Sequence, residues 1–264
     1  MNRLLPLLLR FTRFWPLVVA CGVAMASPSM VLAADDNVRV IQTVKRSVVA
    51  VGTFLRTRNP AFVFHGTGFV VGDGLTVATN SHVLPRNLNT EKFEVLAIAI
   101  PQPSGKIEIR EARGIRSDPD HDLALLKTVG TPLPALKVSS REISQEGGMV
   151  FFTGYPLGTG FGVVPVTHRA MISAITPIVT PAESGQSLNA EVVRRIARGA
   201  YSVYQLDGTA YPGNSGSPLF DPATGEVLGV VNMVFVKGSK EAAISEPSGI
   251  TYAIPSTYLR RLME

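Results

Sequence analysis

Short β-branched runs separated by glycine and proline constrain this chain more than any other feature. Residues 47–54, 62–64, 68–71 and 75–79 read as strands in succession, with Gly72-Asp73-Gly74 as a hairpin signal between the last two. Strand-like pieces continue at 93–99 and 106–113, then in the apolar run that Asp122 opens. Pro132-Leu133-Pro134 reads as a linker between two halves. Beyond it strands resume at 148–154, 163–175, 201–206 and 227–231. Turns at a spacing of roughly 8–12 residues on both sides predict an all-β sandwich or barrel. The 24 Gly and 19 Pro suit so many turns. Gly66-Thr67-Gly68 is not a dinucleotide-binding loop, because position 71 is Val71 and no helical pattern follows.

Helices are expected in three places. One covers 36–46, capped by Asp35 or Asp36, with Val38, Ile41 and Val44 on one side. A second, over 189–197 with Asn189 as cap, reads as a surface insertion with a solvated basic face. The third closes the chain over 256–264, with Pro255 before it and Ser256 as cap.

The first 33 residues read as a signal peptide. Arg3, Arg10 and Arg13 lead, and the apolar stretch 14–26 follows. Val31-Leu32-Ala33 then suits cleavage after Ala33. Cleavage after Ala26, lipidation at Cys21 and an uncleaved anchor are the alternatives, so any membrane contact is expected only through this segment. Those three arginines supply three of the five net positive charges. The remaining +2 makes no electrostatic case for nucleic acid. Cys21 is the single cysteine, so a mature chain from Ala34 would hold no disulfide, no zinc–cysteine site and no cysteine nucleophile.

Tyr211-Pro212-Gly213-Asn214-Ser215-Gly216-Ser217-Pro218 carries the chemistry. Glycines beside one hydroxyl suit a tight turn. Such a turn can aim the N–H groups of Gly213 and Ser215 at one point next to the Ser215 hydroxyl, as acyl transfer requires. A nucleophilic serine needs a base and a carboxylate. His82 stands at the end of the 75–79 strand, and Asp122 opens the next apolar run. In the order His82, Asp122, Ser215 these residue types fit base, orienting carboxylate and nucleophile. Asp118 and Asp120 are expected to stay in water, and His121 to be exposed. Ser217 breaks a Gly-x-Ser-x-Gly pattern, against an α/β-hydrolase elbow.

These pieces resemble the trypsin-like (chymotrypsin-fold) serine peptidases, and within them the HtrA/DegP branch of bacterial envelope proteases. The likeness runs over roughly 47–258, through Gly66-Thr67-Gly68-Phe69-Val70-Val71, Ala78-Thr79-Asn80-Ser81-His82-Val83 and Asp122-Leu123-Ala124-Leu125-Leu126-Lys127. It continues in Gly154-Tyr155-Pro156-Leu157-Gly158, Leu206-Asp207-Gly208, Gly213-Asn214-Ser215-Gly216 and Gly249-Ile250-Thr251-Tyr252-Ala253-Ile254-Pro255-Ser256. The resemblance implies two six-stranded antiparallel β-barrels, at about 47–131 and 136–255, with the site in the cleft between them. It also implies a primary specificity pocket with Thr209 near its base and Asn232, Met233 and Val234 along its wall. With no acid at that base, a small or medium aliphatic side chain is expected rather than Lys or Arg. In that branch a peptide-binding PDZ domain usually follows, whereas here the sequence stops at Glu264.

The expected protein is an exported, periplasmic serine endopeptidase acting on exposed or unfolded polypeptides, needing no metal or organic cofactor. The alternative is a protease-like module that binds a peptide or partner with little turnover. Oligomeric state is left open.

Overall fold

A computed structural model describes residues 29–102, 104–156, 164–178, 201–232 and 249–264. Most of the expected leader, the expected 189–197 helix, and the pocket residues Met233 and Val234 lie outside the described residues.

The first six strands are β1 (Val48–Phe54), β2 (Phe62–Val71), β3 (Thr76–Thr79), β4 (Val95–Pro101), β5 (Ile107–Asp118) and β6 (Leu123–Thr128). They close in the order β1-β2-β3-β6-β5-β4. The next six are β7 (Met149–Gly154), β8 (Val166–Ile178), β9 (Tyr201–Asp207), β10 (Pro218–Phe220), β11 (Val227–Asn232) and β12 (Ile250–Pro255). They close in the order β10-β11-β12-β9-β8-β7, and every pairing in both barrels is antiparallel. The open choice between sandwich and barrel thus resolves to two closed barrels.

Continuous apolar strands arise because both faces are buried. Along β1, Val49 and Val51 fill the interior of the first barrel, while Val48 and Ala50 join a cluster between the barrels. That cluster unites Phe69, Leu123 and Leu125 of the first barrel with Phe220, Val230 and Ile254 of the second. Phe152, Ile172, Leu206, Leu219 and Val231 fill the second barrel. In β11 the parity shifts: Val227 pairs with Phe220 but Gly229 pairs with Leu219, leaving Leu228 as the extra residue of a bulge. Both Val227 and Val230 therefore reach the inter-barrel cluster.

The connection after β6 is pinned to both barrels. Leu136 N–H donates to Val70 O at 2.8 Å, and Ser139 N–H to Val227 O at 2.9 Å. Helix α1 (Ser29–Lys45) begins seven residues before the start expected at 36, so neither Asp35 nor Asp36 caps it. Met30, Leu32, Ala33 and Ala34 are good helix formers and extend it. Val44 is buried, with Val40 and Ile41 packed against the same cluster, whereas Val38 faces outward. Helix α2 (Ser256–Met263) starts at Ser256 itself, so the cap position falls to Pro255 and not to Ser256. It straps the barrels together. Arg116 of β5 donates to the carbonyls of Leu262 at 3.0 Å and Glu264 at 3.2 Å, and Arg260 donates to Ser139 O at 2.8 Å. Leu259 anchors it in the core.

Candidate active site

His82 sits in a 3-10 turn, Ser81–Val83, directly after β3. Asp122 immediately precedes β6, the strand that pairs with β3. Its φ of 52° is a left-handed conformation that aspartate tolerates better than most residues. The two segments are laced together. Asp122 O accepts from Ser81 N–H at 3.2 Å and from the Asn80 amide at 3.0 Å, and Leu123 O accepts from Ser81 Oγ at 2.7 Å. Both Asp122 oxygens then serve His82. Oδ1 accepts its backbone N–H at 2.9 Å, and Oδ2 accepts its Nδ1–H at 2.5 Å. This fixes the ring and leaves Nε2 as the nitrogen open to proton transfer. The histidine side chain is 31% exposed and the aspartate 14%, so the pair is reachable at the imidazole and sheltered at the carboxylate.

Asn232 adds a bond from the other barrel. Its side-chain amide donates to Asp122 Oδ2 at 2.7 Å. The resemblance put Asn232 along the pocket wall. Here it is fully buried at the end of β11 and supports the carboxylate.

The serine turn joins β9 to β10. Gly213 has φ 104° and Gly216 φ 86°, both in the region that favours glycine. At Gly216 a Cβ would also stand 2.0 Å from Thr67 O, so no side chain fits there. Asn214 N–H donates to Tyr211 O at 2.9 Å, and Ser217 N–H to Asn214 O at 3.0 Å. Among the described residues, no hydrogen bond engages the N–H of Gly213 or of Ser215. Ser215 is 6% exposed.

Gly66 of β2 brings the halves together. A Cβ there would lie 2.7 Å from Val83, next to His82, and 3.1 Å from Ser215 O. No hydrogen bond joins Ser215 to His82 among the described residues. Such contacts are often long without substrate.

Thr209 is half-buried between β9 and the serine turn. Thr251 holds this stretch: its hydroxyl donates to Gly208 O at 2.7 Å and accepts Ala210 N–H at 2.9 Å. Beneath the turn, His168 stacks on Phe152 at 4.8 Å between ring centres, and burial lowers its pKa. Burial likewise raises the pKa of the Tyr155 phenol, which donates to Val48 O at 3.1 Å.

His121 departs from expectation. It is half-buried and not free in water. Its Nδ1–H donates to Asp118 Oδ2 at 2.6 Å, and its ring stacks on Tyr258 at 4.1 Å. Asp118 and Asp120 are half-buried too, not fully in water. Proximity to α2 explains the histidine's setting, because Tyr258 lies over the turn that precedes β6. The sequence reading missed Thr67, Asn80 and the role of Asn232. Thr67 and Asn80 stood inside motifs already noticed, but nothing local marks which polar atoms they reach.

Two closed six-stranded barrels with a serine turn at their junction define the chymotrypsin-like class. The model of the trypsin-like peptidase domain matches residues 66–230, and the chain belongs to that family. A probable periplasmic serine endoprotease, DegP-like, from Pseudomonas fluorescens is 30% identical over 191 residues, covering 72% of this chain and 32% of the relative. A counterpart of the same description from Marinomonas sp. is 27% identical over 196 residues, 72% of this chain and 33% of the relative. The chain therefore spans about a third of the length of the curated relatives it matches. Among solved structures, the Rv3671c protease of M. tuberculosis in its active form superposes with a TM-score of 0.62 at 23% identity, over 98% of this chain and 93% of that one. Deg5 gives 0.59 at 24% identity, over 86% and 92%. These likenesses carry the fold.

Proposed function

We propose that the protein is a serine endopeptidase that hydrolyses exposed or unfolded polypeptides through an acyl-enzyme. His82 Nε2 takes the proton of Ser215 Oγ as that oxygen attacks the scissile carbonyl. Asp122, supported by Asn232, holds the ring and stabilises the imidazolium. The N–H groups of Gly213 and Ser215 receive the oxyanion. The imidazolium returns its proton to the leaving amine. A water molecule, deprotonated by the same nitrogen, then releases the acyl group.

The observation that carries this reading is the His82–Asp122 pair, bonded twice, with Gly66 packed between Val83, next to His82, and the Ser215 carbonyl. Family membership supports the same chemistry. The pocket reading, with Thr209 at its base and Met233 and Val234 along the wall, favours an aliphatic residue before the scissile bond. The leader-like 1–33 and the periplasmic DegP-like relatives support export to the periplasm. Ser215→Ala is expected to abolish labelling by a fluorophosphonate and to lower kcat about a millionfold while the fold is kept. Equal labelling of that variant would sink the assignment, and a wild-type protein that is not labelled would favour the binding-module alternative.

A further inference from the structure

We propose that Thr67 is a positioning residue of the oxyanion site, acting from the first barrel on the serine turn of the second; this rests on the peptidase reading above. Thr67 lies on β2, fully buried, and all its polar groups are engaged. Its N–H donates to Ser215 O at 2.8 Å. Its hydroxyl donates to Gly213 O at 2.7 Å and accepts Tyr155 N–H at 3.1 Å. Its carbonyl accepts Thr79 Oγ1 at 2.7 Å.

The two carbonyls that Thr67 holds flank the Asn214–Ser215 peptide, whose N–H is one oxyanion donor. Peptide units are planar, so fixing the carbonyls on either side restricts the few rotations left to that N–H. The restraint is needed at Gly213, where no Cβ limits rotation. The turn's own backbone bonds act on the same units. Asn214 N–H, in the peptide plane of Gly213 O, donates to Tyr211 O, and Ser217 N–H holds the Asn214 carbonyl. Thr67 adds a restraint from the other barrel. The Asn214 side chain is fully buried, yet among the described residues neither its Oδ1 nor its Nδ2 makes a hydrogen bond. Neither of the turn's backbone bonds engages the Gly213 oxygen itself. Only the Thr67 hydroxyl reaches it among the described residues.

Thr67→Val removes that hydroxyl, keeps the backbone donor to Ser215 and keeps the β-branched shape. The test uses a peptide p-nitroanilide with valine before the scissile bond, and a peptide boronic acid of the same sequence as transition-state probe. Counting active sites by exhaustive fluorophosphonate labelling removes any effect of misfolded protein. In Thr67→Val, kcat per active site is expected to fall about five- to tenfold, the worth of one hydrogen bond, with KM unchanged. Boronate affinity falls by the same factor, and Thr67→Ser restores both. Should Thr67→Val not fold, Thr67→Cys, whose thiol is a weaker donor, is expected to give an intermediate kcat. Wild-type kcat per site in the tested variant, or a loss that Thr67→Ser does not restore, overturns the assignment. A wild-type protein that neither cleaves the peptide nor binds the boronate overturns the peptidase reading, and this assignment with it.

Discussion

Among the described residues, His82 with Asp122 and His121 with Asp118 form pairs of nearly the same local geometry. In each, one aspartate accepts both the ring Nδ1–H and the backbone N–H of its histidine: 2.5 and 2.9 Å for His82 and Asp122, 2.6 and 3.2 Å for His121 and Asp118. Their settings differ. Asp118 and His121 are three residues apart, so their bonds close a single turn. That imidazole is sandwiched into an aromatic group, stacked on Tyr258 and meeting the Tyr201 edge at 4.8 Å. Asp122 is forty residues from His82 and takes a third bond from Asn232 of the other barrel. An imidazole–carboxylate pair is thus not a catalytic base by itself. Nucleophile, oxyanion donors and an open ring nitrogen around it decide which role it takes.

The sharpest way to break this comparison is to mutate both carboxylates alike. Asp122→Asn is expected to lower kcat about 10⁴-fold through the wrong ring tautomer. Asp118→Asn is expected to leave kcat unchanged. Similar losses in the two variants, measured on the same peptide substrate, would erase the distinction. A middle-sized effect should come from Asn232→Ala. Removing a hydrogen bond to a charged acceptor costs about 1.5–3 kcal/mol, or about ten- to a hundredfold in kcat per active site. An unaltered kcat there would mean that the inter-barrel bond to Asp122 is dispensable. The smallest effect belongs to the structural pair. Tyr258→Leu strips His121 of its stacking partner, and the expected loss is about 0.5–1.5 kcal/mol in urea unfolding with kcat retained. A fall in kcat per site would show instead that the aromatic group acts on Asp122.

Much of the fold was legible because its signals are local. Turn residues and β-branched runs marked nearly every strand, although 62–64 and 68–71 proved to be parts of one strand, Phe62–Val71. The glycines between those two runs make no turn. Gly66 and Gly68 lie within the strand because neighbouring atoms press on them, from Val83 and Ser215 at the first and from Val51 and Val77 at the second. The helix ends were less legible. Helix formers extended α1 past Asp36, and Ser256 became the first helical residue of α2. His121 was misread because its surroundings come from α2, remote in the chain.

Residue types and their order were enough to single out His82, Asp122 and Ser215 as candidates, and the structure pairs the first two. What the tertiary structure alone decided is which atoms meet. Asn232 reaches Asp122 across 110 positions, and Thr67 reaches Gly213 across 146. Such bonds depend on the register in which each barrel closes. A slip of one residue would turn every side chain on a strand to the opposite face. Local sequence sets the strands and turns; barrel closure sets the distances between them.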